Sequence, residues 1–98
     1  MPAGTTNIGG VYAIWGQIST DTTGWNATTS GGFAVSKNVA ITGVTATMYP
    51  SIYFTNATFD VANKAGIGAV DSYAGGVTLF AMVAPTATVT FNYVIIRG

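Results

Sequence analysis

The stretch TATVTFNYVIIRG, Thr86 to Gly98, alternates with a period of two, and that period restricts what the chain can become. Ala87, Val89, Phe91, Tyr93 and Ile95 fall on one side of an extended chain, and Thr86, Thr88, Thr90 and Asn92 fall on the other. Successive side chains of a strand point to opposite faces, so this pattern buries one face of a sheet and wets its back. Near the end the pattern changes, because Val94 and Ile96 place apolar groups on the formerly polar side. A strand that turns apolar on its second face calls for something to cover it.

Strand period recurs along the whole chain. GVYAIWGQIS at Gly10–Ser19 and FAVSK at Phe33–Lys37 read as strands. NVAITGVTATMY reads as a third, its apolar register slipping by one at Gly43, the mark of a β-bulge or bend. Pro50 is expected to end that strand, with SIYFTNATFDV following it in one or two pieces. A brief strand is expected near Ile67 to Val70, and VTLFAMVA at Val77–Ala84 reads as a strand buried on both faces, broken at Pro85. No window spaces its apolar residues as a helix would, and β-branched and aromatic side chains dominate. The expected fold is therefore all-β: a small antiparallel β-sandwich, jelly-roll-like, of about six to eight strands joined by Gly-, Thr- and Asn-rich turns. Its single domain is expected over 10–98, with 1–9 as an extended N-terminal arm.

Charge is scarce. Soluble chains carry about a quarter charged residues; here the fraction is 6%, namely Lys37, Lys64, Arg97, Asp21, Asp60 and Asp71, and the net charge is zero. Such a surface generates no field to steer nucleic acid or an acidic membrane, and it favours association. Sixteen threonines supply hydroxyls in place of charge. The apolar runs fall well short of the about 20 residues that span a bilayer. MPAGTTNIGG has no basic residue ahead of an apolar run, so it does not read as a signal peptide, and folding in the cytosol is expected.

Catalytic chemistry has little to draw on. Histidine and cysteine are absent, which removes the commonest acid–base group, the commonest nucleophile–base pairing and thiolate metal ligands. Asp21, Asp60 and Asp71 are the only carboxylates, and each sits in or beside an expected turn, where an Asx-turn explains it. Gly66 and Gly68 lack the third glycine and the Lys-Ser end of a phosphate loop. The Asn26-Ala27-Thr28 and Asn56-Ala57-Thr58 tripeptides read as chance matches in a threonine-rich chain. No enzyme, cofactor or metal site is expected. Aromatics on strands, Trp15, Phe33, Phe54, Phe80 and Phe91, are expected in the core, with Trp15 also placed beside Val94 and Ile96 at a subunit contact. Trp25 and Tyr73 lie in Gly-rich stretches, either as lids over one end of the sandwich or as loop contacts for a sugar ring or a protein.

ATVTFNYVIIRG resembles the closing strand of small β-domains in virion proteins of tailed bacteriophages. GWNATTSGGFAVSKNVAITGV is similar to their opening, with Gly24, Trp25, Phe33, Val35 and Lys37 in place, so the likeness runs from Gly24 to Gly98. The resemblance implies a homotrimer that works as a structural part of the virion, assembled in the host cytoplasm. Its partners would be copies of itself and the major capsid protein or other virion proteins, without nucleic acid or membrane. A chain opening on Met1 directly before its first strand looks more like a capsid decoration or cement protein. The alternative is the receptor-binding tip of a tail fibre, with a host surface glycan as partner.

Overall fold

The structure, a computed structural model, describes residues 4–8 and 11–97. Within them run β1 (Gly4–Ile8), β2 (Val11–Thr20), β3 (Asn26–Ala27), β4 (Val35–Ala40), β5 (Tyr49–Phe54), the helix α1 (Phe59–Ala65), β6 (Ala69–Tyr73), β7 (Gly76–Ala81) and β8 (Val89–Ile96). The strands form two four-stranded antiparallel sheets, ordered β1-β2-β8-β5 and β3-β4-β7-β6. This is the small all-β sandwich that the two-residue period calls for. Pairing is nested: β2 joins β8 in one sheet, and β4 joins β7 in the other.

The closing stretch is the centre of the first sheet. β8 lies between β2 and β5, and its odd positions Val89, Phe91, Tyr93 and Ile95 are 0 to 4% exposed. Phe91, Tyr93 and Ile95 meet Ile14 of β2, Val39 of β4, and Val77 and Leu79 of β7 in one core. Burying side chains of this kind stabilises by about 1.5–3 kcal/mol each. Phe54 of β5 contacts Phe91 edge-on, with ring centroids 6.0 Å apart. Burial also raises the pKa of the Tyr93 phenol.

Several expectations are corrected. The strand expected across Gly43 does not exist as one piece: β4 stops at Ala40 and β5 begins at Tyr49. Gly43 has φ +92°, and turns close with Val44 N–H donating to Ile41 O and Met48 N–H donating to Thr45 O. Ile41, Val44 and Met48 are buried and seal one end of the sandwich. Pro50, expected to end a strand, sits inside β5. Thr55 N–H donates to Thr90 O on β8; counting back by twos, the N–H groups of Tyr53 and Ser51 point to β8 and those of even positions point away. Pro50 falls at an even position of an edge strand, where its missing N–H removes no ladder bond.

A helix was not expected, yet α1 occupies Phe59–Ala65. It buries Ala62 and Ala65, ends at Gly66 with φ +68°, and carries Asp60 and Lys64 paired at 3.0 Å one turn apart. Its last carbonyl is met from outside, because Met82 and Val83 N–H groups both donate to Ala65 O. β7 accordingly stops at Ala81, short of the expected Ala84. Gly4–Ile8, expected within an arm separate from the sandwich, is the edge strand β1, in register with Val11 to Trp15. Residues 1–3 and 9 of that expected arm lie outside the described residues. Trp15, Phe33 and Phe80, expected in the core, lie outside it. Phe80 alternates with the inward Leu79 and Ala81, so it faces out, with the Phe33 ring 6.0 Å away.

Candidate interaction surface

Register decides what the outer face of the first sheet carries. Val94 pairs with Trp15 on one side and Ser51 on the other; Ile96 pairs with Ala13 and Tyr49. Paired residues share a face, so Trp15, Val94, Ile96, Ser51, Tyr49 and Tyr53 all look away from the core. Val94 is 40% exposed, Ile96 37%, Tyr49 64% and Tyr53 65%. Trp15 is half-buried because its indole lies over Gly4 on β1; a Cβ at Gly4 would stand 2.5 Å from the ring. Glycine opposite tryptophan lets the aromatic plate cover the sheet's edge.

The rest of that face is polar. Gln17 Nε2 donates to Asn92 Oδ1 at 3.1 Å, and the Ser19 and Thr90 hydroxyls hydrogen-bond at 2.7 Å. The boundary therefore runs between Asn92 and Val94, where the alternation of the sequence breaks. The second sheet's outer face differs. It presents Ser36, Asn38, Asp71, Tyr73 and Thr78, with Thr78 Oγ1 donating to Asn38 Oδ1 at 2.7 Å. Its apolar part, Phe80, lies under Phe33.

Trp25 and Tyr73 are not brought together. Trp25 directly precedes β3 at one edge of the second sheet, and Tyr73 ends β6 at the opposite edge. Trp25 is half-buried against the core, and its Nε1–H is buried without a hydrogen-bond partner among the described residues. Tyr73 is half-buried beside the tight turn at Ala74 and Gly75, where Gly75 has φ +121°.

The two open sides of the sandwich are finished differently. On the side of Trp25, Lys37 shares the core-facing side of Leu79 by register, with only 12% of its side chain exposed. Its stem passes under Gly24, and its Nζ donates to both Asp21 O and Asp21 Oδ1 at 3.0 Å. Thr23 donates to the same carboxylate through Oγ1 at 2.7 Å and N–H at 3.0 Å. Thr23's hydroxyl, and then the Lys37 ammonium, hold the Asp21 carboxyl down at about 2. This carboxylate is an Asx-turn and a lysine latch. On the other side, Ser72 Oγ donates to Met48 O at 2.6 Å and ties β6 to the turn before β5. Beyond that tie the side stays open as a cleft of about 260 Å³ lined by Ile52, Phe54, Ile67, Gly68, Ala69 and Val70.

The other ionic groups are dispersed. Arg97 lies 4.9 Å over the Tyr12 ring, Asp60 pairs with Lys64, and Asp71 is exposed on the second sheet. Among the described residues no group of three His, Cys, Asp or Glu side chains could hold a metal ion. Nor is any helix there long and apolar enough to cross a membrane, a statement that leaves membrane-spanning strands aside. Other exposed apolar side chains are Phe59, which opens α1, and Met82 and Val83, in the segment that meets its end.

Comparison with protein-family models, with curated proteins and with solved structures finds no match to this chain. Of the surface residues, the sequence pattern singles out Trp15, Val94 and Ile96, and register places all of them on one outer face. It overlooks Tyr49 and Tyr53. Their signal was present as Tyr-x-Ser-x-Tyr opposed to Pro-x-Ile-x-Phe, but reading Pro50 as a strand end hid the alternation.

Proposed function

We propose that this chain is a non-enzymatic virion structural protein, a capsid decoration or cement protein that works as a homotrimer packed through the outer face of its first sheet. One observation carries the self-association: Trp15, Val94, Ile96, Tyr49 and Tyr53 lie together on an outer face, whereas the second sheet's outer face is mainly polar or covered by the chain itself. Burying apolar area yields about 25 cal/mol per Å², and aromatic side chains contribute most at such contacts. A cyclic assembly also covers sheet edges that few charged residues protect. The virion setting and the number three come from the resemblance of the closing strand to phage β-domains. Copies of the chain and the major capsid protein are the partners on this reading.

The tail-fibre tip needs aromatic loops that converge on a glycan. Trp25 and Tyr73 stand at opposite edges of the second sheet, and the Trp25 ring is packed on the core, so geometry favours the shell. Quantitative mass spectrometry of purified particles tests the choice. A decoration protein is present in hundreds of copies, in keeping with a shell lattice; a few copies per particle would assign the chain to the tail and refute the cement reading.

A further inference from the structure

The apolar half of the first sheet's outer face is small for the contact it has to make. It spans three strands, β2, β8 and β5, and about four residues between the level of Ile96 and that of Asn92. At about 4.8 Å between strands and about 3.4 Å per residue, that is roughly 200 Å² in projection. A stable interface takes about 800 Å² from each partner. Side-chain relief could double the projected figure and still leave half of the need unmet.

One strand offers the missing area. The odd residues of β5, Tyr49 and Tyr53, belong to the outer face, and its even residues, Ile52 and Phe54, line the cleft of about 260 Å³. The N–H groups of Ile52 and Phe54 point away from β8, so the strand's edge also presents backbone donors. Across the cleft stand Ile67 and Val70, and no charged side chain is among its lining residues. The opposite side of the sandwich is closed from within by Trp25 and the Lys37–Asp21 latch, so this opening is not a general feature of the fold. An uncharged, apolar cleft with a polar backbone rim suits an occupant of this chain's own composition.

We infer that a second copy of the chain wraps β5, covering Tyr49 and Tyr53 on its outer face and filling the cleft between β5 and β6 on its inner one. The inference rests on the self-association proposed above and adds where the contact goes: around one edge strand and into the sandwich. Strand edge and cleft together give the geometry of edge addition, in which main-chain bonds supply affinity and alternate side chains enter pockets.

The chain has no cysteine, so single introduced thiols report on each surface. Val70→Cys reports the cleft, Val94→Cys the outer face, and Asn38→Cys the second sheet's outer face. Alkylation rates are measured on folded protein across a dilution series, with sedimentation run on the same samples. As chains assemble, labelling of Val94→Cys and Val70→Cys should slow together by about tenfold once only about a tenth of the chains remain free, with Asn38→Cys unchanged. If oligomers form and Val94→Cys is protected but Val70→Cys labels at its dilute rate, the wrapping is wrong and the self-association stands. If no oligomer forms at any concentration, both fail. Should Val70→Cys itself disturb folding, Ile52→Cys, inward by its register with Tyr93, reports from the other wall of the cleft.

Discussion

Replacing Gly76 with alanine tests how closely the two central strands of the second sheet approach. Gly76 is buried at the start of β7, paired with Ala40 of β4 and Tyr73 of β6. A Cβ there would overlap the Val39 carbonyl oxygen and stand 2.9 Å from Ala40 Cα. The obstacle is backbone held in a ladder, so no side chain can swing aside. Overpacking of this kind costs about 1–3 kcal/mol, and backbone obstruction belongs at the upper end. Alanine recovers about 0.4–1 kcal/mol by restricting the unfolded chain, so the net loss is about 2 kcal/mol. For a domain of this size each kcal/mol moves Tm by about 4–8 °C, and the expected drop is about 8–16 °C. Gly32→Ala is the control: nothing lies within 4 Å of its Cβ, and only its φ of +82° opposes the change. Left-handed backbone costs an alanine about 1–2 kcal/mol, so Gly32→Ala should fall by less. Thermal unfolding followed by circular dichroism, at one fixed protein concentration because association shifts Tm, gives the comparison. A Gly76→Ala protein as stable as its parent would refute the close approach of β4 and β7.

Phe91→Ala should lose about 3–5 kcal/mol in denaturant unfolding, whereas Phe54→Ala should lose clearly less in the dissociated chain because Phe54 borders an open cleft. Equal losses in dilute, monomeric protein would mean that the cleft is closed. Asp21 titrates at about 2 instead of 3.8, so its latch contributes fully above pH 3.8 and is lost as pH falls through 2. A carboxyl ¹³C titration should place the Asp21 inflection near 2; an inflection at the ordinary value would separate Asp21 from Thr23 and Lys37.

The strands that bury one face cleanly were legible because alternation and burial coincide in them. β8 reads directly from the pattern, and Val94 and Ile96 emerge as outward residues for the same reason; β2 is apolar on both sides, so the pattern also expected Trp15 in the core. Alternation misled at Ile41 to Met48, where glycine at φ +92° breaks the strand and buried side chains recur by turn geometry. α1 was hidden because its seven residues give too short a window, and because much of its support is tertiary: Ala65 O is met by Met82 and Val83. Local signs did exist in Asp60, Lys64 and Gly66, the order expected for a charged first turn, a basic last turn and a left-handed cap. The inward placement of Lys37 was not legible at all. A lysine on the core-facing side of a strand depends on a loop sixteen residues away in sequence that accepts its ammonium.

The central claim is that this chain hides an apolar sheet face against its own copies. Sedimentation equilibrium of the natural chain and of Val94→Lys, from low to high micromolar concentration, tests it most directly. The account predicts a species of three times the 10.0 kDa chain mass for the natural protein and a folded 10.0 kDa monomer for the variant. A natural chain that stays at 10.0 kDa throughout, with Val94 and Ile96 in contact with water, would contradict it.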